Sequence, residues 1–437
     1  MTEQYFISSP VHSMQGDIVV PGDKSISHRA IMLGAIAEGI TTVEGFLDGE
    51  DCLATLHAFE SMGVCIEKPA GHPLVIHGVG KYGLKKPAAT LNCGNSGTSM
   101  RLLAGLLSAQ PFDTELTGDN SLLTRPMARI SRPLIEMGAD ILTHDGCPPI
   151  LIRGGKNLQG IAYTIPVASA QVKSCLLLAG LYAQGETRLT ESSPTRDHTE
   201  RMLSQFSYPI QSNDSVIEIN AANQCIGTNI VVPGDISSAA FFIVAATIIP
   251  GSAVCIRNVG VNQTRTGLLH ILKRMGANIS LSNRRFYGEE PVADLLIRHA
   301  PLHGLEIPLS IVPAAIDEFP ALFIAAACAT GQTILHGAQE LRHKESDRIS
   351  VMADGLTQLG IEAKALHDGM FIRGGTIGGG VVDSQYDHRI AMAFAIAGAV
   401  ATAPVKILHS SQVVTSFPTF VALANQMNLS IKVMNDD

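Results

Sequence analysis

The stretch from Val19 to Gly39, VVPGDKSISHRAIMLGAIAEG, decides the fold of this chain. Its polar start is followed by about three turns of Ala, Ile, Leu and Met that leave no polar face. A helix that is apolar on all sides has to be buried on all sides. Yet Lys24, His28 and Arg29 stand at its start. Either three cations are buried at a cost, or the start of the helix opens on a site that receives an anion.

Five later stretches follow the same pattern. Each begins with polar residues, continues through an apolar helix, and ends at Gly or Pro before a short β-like segment. The six predicted helix starts lie near residues 26, 98, 170, 238, 318 and 388, a period of about seventy residues. The phrase VPGD also occurs twice, at 20–23 and at 232–235. A fixed period of this kind indicates a repeat architecture.

Two further elements recur beside the predicted buried helices. Apolar residues at three-to-four spacing, as in 50–67 and 265–280, predict amphipathic helices with one solvated face. The glycines predicted to end such helices are Gly63, Gly138, Gly276 and Gly360. Segments such as 150–165 and 371–382 predict a strand, a glycine-bearing turn and a strand, and we interpret their RGG sequences as hairpin turns.

These elements together predict an α/β protein of two domains. A length of 437 residues exceeds what one hydrophobic core normally supports. Six repeats divide naturally into two domains, each built from three βαβαββ-type units. We expect the three buried helices of each domain to run parallel, inside a wall of sheets and amphipathic helices.

Composition excludes several classes of protein. Hydrophobic residues make up 46% of the chain and charged residues 16%, which is typical of a compact folded protein. The net charge of −8 argues against a nucleic-acid-binding face, which needs an excess of Lys and Arg. The apolar runs are shorter than the roughly 20 residues that span a bilayer, and no signal peptide is evident. We therefore expect a cytoplasmic protein with no membrane or nucleic-acid partner.

No metal site is predicted. The eight cysteines are scattered without a CxxC pair, so reduced thiols are the simplest interpretation. His299 and His303 are four residues apart, but Pro301 between them argues against a shared helical face.

Polar residues at the predicted helix starts favour anion binding. If the buried helices run parallel, their unbonded N–H groups and positive dipole ends lie on one face of each domain. The polar residues at these starts are Lys24, Ser25, Arg29, Asn95, Ser96, Gly97, Thr98, Arg101, Ser169, Gln171, Lys173, Asp317, Glu318, Asp387, His388 and Arg389. The cations at starts of outer helices are Arg125, Arg196, Lys344 and Arg348. One such cation is ordinarily a solvated residue or a local ion pair, but their recurrence favours phosphorylated or carboxylated substrates.

Two carboxylates lie among these cations. Asp317 and Glu345 would repel an anionic ligand in a purely binding site, so we interpret them as acid and base groups. Two alternatives stay open: Asp317 as a helix cap, and Glu345 as an ion-pair partner of Lys344 or Arg348. For His28 and His388, capping or packing is as good an explanation as proton transfer.

Several motifs carry a specific resemblance. PGDKSISHRA, NCGNSGTSMRLLAGLL, LTRPM, VASAQVKSCLLLAGL, AIDEFPAL, LRHKESDRI and YDHRIAMAFA resemble those of the EPSP synthase (3-phosphoshikimate 1-carboxyvinyltransferase) family, from about Pro21 to Pro418. The resemblance implies two inside-out, barrel-like α/β domains at 20–235 and at 1–19 plus 236–437. The active site would lie in the cleft between them.

The resemblance also implies a reaction. Phosphoenolpyruvate and shikimate 3-phosphate would give 5-enolpyruvylshikimate 3-phosphate and phosphate, on the shikimate pathway to chorismate and the aromatic amino acids. This transferase chemistry needs one acid, one base and cations for the phosphate, but no metal or organic cofactor. The expected partners are the two small substrates alone, and the expected state is a monomer.

Site residues follow from the matched motifs. Those expected to hold shikimate 3-phosphate are Lys24, Ser25, Arg29, Ser169, Ala170, Gln171, Arg196, Asp317 and Lys344. Those expected to hold phosphoenolpyruvate are Lys24, Asn95, Gly97, Thr98, Arg101, Arg125, Gln171, Arg348 and Arg389. The expected catalytic residues are Asp317 as the base for the 5-hydroxyl group, Glu345 as the acid for the methylene carbon, and Lys24.

Two other functions would fit part of the sequence pattern. UDP-N-acetylglucosamine 1-carboxyvinyltransferase shares the fold, but it normally carries a reactive Cys in a first-half loop, and LTGDNSLLTRPM here has none. We interpret Cys93 as a packing residue. A non-catalytic, repeat-built anion-binding protein would explain the architecture but not Asp317 and Glu345.

The chain departs from many members of the family at one position. They carry a Lys before a TFP sequence, whereas this chain has Ser416 in VVTSFPTF.

Overall fold

The computed structural model describes residues 3–213 and 215–435. Residues 1, 2, 214, 436 and 437, which fall within the predicted domains, lie outside the described residues. The chain forms two compact units. The amino-terminal unit is Gly22–Val232 with Phe286–Glu290, and the carboxyl-terminal unit is the chain up to Pro21, Pro233–Arg285 and the chain from Pro291. Each unit encloses its own apolar core, as independent domains do.

Along most of the described chain, successive helices are separated by one to three strands. The strands are β1 (Gln4–Ser9), β2 (Gln15–Val19), β3 (Glu38–Glu44), β4 (Cys65–Glu67), β5 (Leu74–Val79), β6 (Leu91–Asn92), β7 (Thr114–Thr117), β8 (Asp140–His144), β9 (Cys147–Arg153), β10 (Ala162–Ile165), β11 (Glu186–Glu191), β12 (Gln211–Asn213), β13 (Val216–Asn220), β14 (Asn229–Val231), β15 (Ala253–Gly260), β16 (Asn278–Tyr287), β17 (Glu290–Arg298), β18 (Gln332–Leu335), β19 (Glu362–Leu366), β20 (Gly369–Arg373), β21 (Gly380–Asp383), β22 (Val405–Leu408) and β23 (Ser430–Asn435). The helices are α1 (Lys24–Ile36), α2 (Glu50–Ser61), α3 (Gly97–Leu107), α4 (Ala128–Glu136), α5 (Ala170–Gly180), α6 (His198–Gln205), α7 (Ile236–Ile248), α8 (Gly267–Arg274), α9 (Val312–Ala315), α10 (Phe319–Ala327), α11 (Arg348–Gln358), α12 (His388–Gly398), α13 (Val413–Ser416) and α14 (Phe420–Gln426).

The predicted buried helices are α1, α3, α5, α7, α10 and α12. Each begins within two residues of its predicted start. All thirteen residues of α7 are buried, as an apolar surface on every side requires. Small residues let these helices approach closely. A Cβ atom added to Gly105 on α3 would lie only 2.1 Å from the carbonyl oxygen of Cys175 on α5.

The α/β fold of two times three repeats is confirmed. Across residues 3–213 and 215–435, each unit contains three sheets. Those of the amino-terminal unit have the strand orders β14-β3-β5-β4, β6-β7-β9-β8 and β10-β11-β13-β12. Those of the carboxyl-terminal unit have the orders β16-β17-β15-β2, β18-β20-β19 and β21-β22-β1-β23. Within this described part the sheets remain separate, so the wall of each unit is barrel-like in its arrangement without being a closed barrel.

Apart from the short segment Phe286–Glu290, the chain passes between the units at two points. Where a helix stays within its own sheet, as α3 does, the strands before and after it pair in parallel. For α1 and α7 the preceding strands are exchanged. The strand after α1, β3, pairs with β14, which precedes α7, and the strand after α7, β15, pairs with β2, which precedes α1. The crossings lie at 21/22 and 232/233, against predicted boundaries at 19/20 and 235/236. The grouping of Phe286–Glu290 with the amino-terminal unit was not expected from the sequence.

The hairpin interpretation of the RGG sequences is wrong. The strands on either side, β9 and β10 or β20 and β21, belong to different sheets. The glycines instead permit close backbone contact, because a Cβ atom on Gly154 would lie 2.3 Å from the nitrogen of Phe112. The helix-ending glycines are confirmed: Gly63, Gly138, Gly276 and Gly360 have φ values of 88°, 97°, 102° and 85°.

No single helix among the described residues is long and apolar enough to cross a membrane. One bent pair, Leu309–Ala315 with Phe319–Ala327, passes that test by length and composition only. Every residue of Phe319–Ala327 is buried inside the carboxyl-terminal unit, as befits a core helix.

The contact between α3 and α5 gives a test of the fold. Gly105→Ala forces the two helix backbones apart, and we expect a loss of about 3 kcal/mol or more in the free energy of unfolding, as for severe overpacking. Urea unfolding measures the loss. The control is Gly375→Ala, whose added Cβ atom would meet only Ile361 Cδ1, at 3.6 Å. Equal unfolding midpoints for the two variants would contradict the close packing.

Candidate active site

The starts of α1, α3 and α5 lie at one end of the amino-terminal unit. Arg101 on α3 donates from Nη1 to Oε1 of Gln171 on α5 at 2.6 Å. Gln171 in turn donates from Nε2 to Thr98 Oγ1 at 2.9 Å. These bonds place the starts of α3 and α5 side by side, so these two helices run parallel as predicted.

Side-chain caps organise each of these helix starts. Asp23, Ser96 and Ser169 accept hydrogen bonds from backbone N–H groups in the first turns of α1, α3 and α5. A cap satisfies only part of the four unbonded N–H groups at a helix start. The N–H groups that remain at these helix starts can therefore donate hydrogen bonds to phosphate or carboxylate groups.

Arg29 is a buried cation held by neutral acceptors. Its Nε atom donates to Thr199 Oγ1 at 2.7 Å, and its Nη2 atom donates to Ser174 Oγ at 2.6 Å. Its Nη1 atom donates to the carbonyl oxygen of Ser25 at 2.8 Å. Burial lowers the pKa of Arg29 to about 10, with nearby Arg196 contributing, so the guanidinium stays charged at neutral pH. These bonds orient the guanidinium without neutralising it.

Lys173 has a different role from the one its position predicts. It is 1% exposed on α5 and lies 2.9 Å from Glu191 and 2.7 Å from Glu200. Burial opposes its charge, but the two carboxylates outweigh burial and raise the pKa of Lys173. The charge of Lys173 is therefore balanced within the protein, and we do not count it among the anion-binding cations.

Lys24 and Asp51 form an ion pair between the starts of α1 and α2. Sequence reasoning missed Asp51, because the apolar spacing of 50–67 indicates only an amphipathic helix. The signal was present in the acidic pair that opens α2, since a helix N-terminus next to a lysine is a natural position for a carboxylate. The pair holds Lys24 where the helix starts meet.

Arg125 lies beside the start of α3. It donates from Nη2 to Asn95 Oδ1 at 2.8 Å and to Ser121 Oγ at 3.1 Å. Gly97 makes room for two guanidinium groups, because an added Cβ atom would lie 2.9 Å from Arg101 Nη1 and 3.3 Å from Arg125 Nη1. We call Lys24, Arg29, Arg101, Arg125 and Gln171, with the helix starts that carry them, the amino-terminal cluster.

His28 and Cys93 are packing residues in the structure. His28 is fully buried, with Nδ1 2.8 Å from Thr55 Oγ1, which lies 2.7 Å from Ser99 Oγ. Burial, together with Lys24 and Arg29, holds the pKa of His28 well below 6.5, so its ring is neutral. Burial raises the pKa of Cys93 to about 12, which makes its thiol unreactive at neutral pH.

The carboxyl-terminal unit gathers the predicted acid and base. Oδ1 of Asp317 lies 3.3 Å from Lys344 Nζ and 3.7 Å from Arg348 Nη1. Arg348 donates from Nη2 to Glu345 Oε2 at 2.5 Å. Burial opposes the charge of Lys344, but Asp317 and Glu340 outweigh it and raise its pKa. The side chains of Asp317 and Glu345 are 15% and 20% exposed, so both remain accessible to a ligand.

Asp387 orients the cations of this site, and sequence reasoning had placed it only at a helix start. Its carboxylate accepts from Arg348 Nε at 2.8 Å and from the backbone N–H of Arg389 at 2.9 Å. Arg389 donates from Nη1 to the carbonyl oxygen of Asp317 at 2.9 Å. The carboxyl-terminal cluster is defined as Asp317, Lys344, Glu345, Arg348, Asp387 and Arg389.

The two alternatives for the acidic residues have different outcomes. The capping alternative for Asp317 is wrong, because Glu318 occupies the N-cap position of α10. The ion-pair alternative for Glu345 is confirmed by its contact with Arg348. That ion pair leaves Glu345 beside Asp317, within one set of cations.

The remaining predicted residues lie near helix starts. Ser169 and Ala170 lie at the start of α5, Arg196 is half-buried between β11 and α6, and His388 is buried at the start of α12.

One group elsewhere has the donor set of a metal site. Ligand atoms of Cys65, Glu67 and His77 all lie within 4.8 Å of one another on β4 and β5. His77 Nε2 and Glu67 Oε1 are already paired at 2.7 Å. The group lies on the outer sheet, away from the helix starts, and we assign it no part in the candidate active site.

The fold formed by these two units is that of the enolpyruvyl transferases. The structure of the enolpyruvyl transferase NikO from Streptomyces tendae matches over 100% of both chains with a TM-score of 0.82, at 14% sequence identity. At that identity the likeness concerns the fold alone.

Closer comparisons give the family. The family model described as EPSP synthase (3-phosphoshikimate 1-carboxyvinyltransferase) matches residues 9–423. A 3-phosphoshikimate 1-carboxyvinyltransferase from Legionella pneumophila (strain Corby) is 65% identical over 98% of this chain and 99% of its own. One from Methylococcus capsulatus is 60% identical over 98% of each. A structure of EPSP synthase from Acinetobacter baumannii has 54% identity and a TM-score of 0.89, covering 99% of this chain and 100% of that chain. The chain belongs to the EPSP synthase family.

The neutral state of His28 predicts a pH dependence of stability. The unfolded chain protonates this histidine below pH 6.5, whereas the folded protein does not, so His28 costs stability as the pH falls. Between pH 7.5 and 5.5 this cost amounts to about 1 kcal/mol. We expect the difference in unfolding free energy between wild type and His28→Gln to narrow by this amount in urea titrations. A constant difference would contradict a neutral His28.

Proposed function

We propose that the amino-terminal and carboxyl-terminal clusters act on the same two substrates, phosphoenolpyruvate and shikimate 3-phosphate. The reaction is the family's own: the enolpyruvyl group passes to the 5-hydroxyl of shikimate 3-phosphate, and phosphate leaves. The observation that carries the proposal is the acid–base pair Asp317 and Glu345, which both contact Arg348, with Lys344 beside Asp317. A purely binding site gains nothing from carboxylates placed among its cations.

The cations divide between the two substrates. Arg29 and Arg196, with the N-terminus of α5 at Ser169–Gln171, suit the phosphate and hydroxyl groups of shikimate 3-phosphate. Arg101 and Arg125 beside Gly97, together with Arg348 and Arg389, suit phosphoenolpyruvate, whose carboxylate and phosphate favour bidentate guanidinium contacts. Lys24, as a point charge at the meeting of the helix starts, contacts both.

Asp317 and Glu345 perform the proton transfers. Asp317 takes the proton of the 5-hydroxyl group while the hydroxyl oxygen bonds to C2 of phosphoenolpyruvate. Glu345 protonates the methylene carbon C3. In the second step Glu345 takes a proton back from C3, the double bond re-forms, and phosphate leaves with the proton that Asp317 held. Protons therefore balance over the cycle. The cations stabilise the departing phosphate.

The cytoplasmic location and the monomeric state stay predictions. None of the eight cysteines, which all lie within the described residues, forms a disulfide bond, as is typical of a reducing compartment.

Phosphate release tests the proposed reaction. With both substrates and a chelator present, the purified protein should release phosphate at a steady rate that depends on both concentrations. The rival reaction is tested by replacing shikimate 3-phosphate with UDP-N-acetylglucosamine, which should release none. Release with the UDP-sugar but not with shikimate 3-phosphate would overturn the proposal.

Asp317→Ala tests the base. We expect kcat to fall about 1,000-fold, within the range for general-base catalysis, while the Kd for shikimate 3-phosphate changes less than about threefold. Steady-state kinetics and calorimetric titration measure the two quantities. The control is Glu362→Ala, an acidic residue of the same unit that is 46% exposed and ion-paired to Arg373. Full turnover of Asp317→Ala would place the base elsewhere.

A further inference from the structure

Two consecutive acidic residues point towards different cations at the corner between α9 and α10. The helical segments Leu309–Ala315 and Phe319–Ala327 meet at 118°, and Asp317 and Glu318 lie in the corner between them. Asp317 faces Lys344, as described above. Glu318 instead contacts Ser237 at the start of α7 and Arg265 in the short 3-10 helix Gln263–Arg265.

The contacts of Glu318 form a buried network, which we call the Glu318 anchor: Glu318, Ser237, Arg265 and Asp235. Ser237 donates from Oγ to Glu318 Oε1. Arg265 Nη2 lies 3.8 Å from the same oxygen and donates to Ser237 Oγ at 2.8 Å. Arg265 also donates to Oδ1 of Asp235, the N-cap of α7, at 3.2 Å. The anchor therefore joins the starts of α7 and α10 to the segment before α8.

The burial of Glu318 requires an explanation beyond helix capping. Its side chain is 0% exposed, and Oε2 has no hydrogen-bond partner among the described residues. A buried carboxylate with an unbonded oxygen is costly. Glu318 occupies the N-cap position of α10, but its side chain makes no capping hydrogen bond. Its contacts run instead to other elements.

The backbone around the corner is packed just as tightly. A Cβ atom added to Gly267, two residues after Arg265, would lie 2.6 Å from the carbonyl carbon of Ala314 and 2.8 Å from the nitrogen of Ala315. The segment that carries Arg265 thus lies directly against α9. Together, this contact and the Glu318 anchor hold the corner through contacts separate from those that Asp317 makes with Lys344 and Arg348.

We propose that Glu318 is a positioning residue for the reaction. By fixing the start of α10 to Ser237 and Arg265, it holds the preceding residue, Asp317, with its carboxylate against Lys344 and Arg348. The inference rests on the proposed role of Asp317 as the base. Glu318 itself touches no substrate and transfers no proton.

Glu318→Gln tests the inference with little change of shape. The variant removes the charge that faces Arg265, so the corner loosens and Asp317 loses its alignment. We expect kcat to fall at least tenfold, while the KM values for both substrates stay within about threefold of wild type. Ser237→Ala removes one hydrogen bond of the anchor and should lower kcat in the same way by a smaller factor. The control is Glu362→Gln, which should retain wild-type kinetics.

A double-variant cycle separates positioning from a general structural role. If Glu318 acts through Asp317, Glu318→Gln should change the residual kcat of Asp317→Ala less than twofold. An equal loss in both backgrounds would overturn the inference and leave the proposed base intact. Full turnover of Asp317→Ala would overturn the proposed base, and the inference with it. Should Glu318→Gln fail to fold, as judged by thermal unfolding, Ser237→Ala completes the same cycle.

Discussion

The structure depends on one constraint, the burial of helices that are apolar on every side. Such a helix can present polar groups only at its ends, because the rest of its surface is covered by sheets and by other helices. In each unit the starts of three such helices are linked by side-chain hydrogen bonds, as between Arg101 and Gln171 or between Ser237 and Glu318. The unbonded N–H groups and positive dipole ends of three helices are thereby concentrated in one region.

The same constraint determines how buried charges are treated. Lys173 lies about one turn after the start of α5, and two carboxylates balance its charge. Arg29 is oriented by hydroxyl and carbonyl oxygens, which leave its charge for a ligand. In the carboxyl-terminal cluster, Asp387 orients Arg348, while Asp317 and Glu345 remain partly exposed. Among the buried cations of the amino-terminal unit, partner choice thus separates Lys173, whose charge is balanced within the protein, from Arg29, whose charge is left for a ligand.

Much of the fold could be predicted from the sequence because its strongest signals are local. The apolar runs located the starts of all six buried helices to within two residues, and glycines such as Gly63 marked helix ends through backbone conformation alone. The strand pairing could not be predicted in this way. The RGG sequences resemble hairpin turns locally. However, β9 and β10 belong to different sheets, because they pair with other strands and not with each other.

The site shows the same division between local and remote information. Motif residues such as Lys24 and Arg348 were found because they lie at helix starts. Asp51, the orienting role of Asp387 and the Glu318 anchor were missed, because each depends on a partner from a distant segment. Arg265, for example, meets Glu318 only through the packing of α8 and α9.

We propose that the amino-terminal and carboxyl-terminal clusters act on the same pair of substrates. The most direct measurement is calorimetric titration of shikimate 3-phosphate into Arg196→Ala, from the amino-terminal unit, and Lys344→Ala, from the carboxyl-terminal unit. We expect each variant to weaken binding at least tenfold relative to wild type. Unchanged affinity in either variant would contradict a site shared by the two clusters.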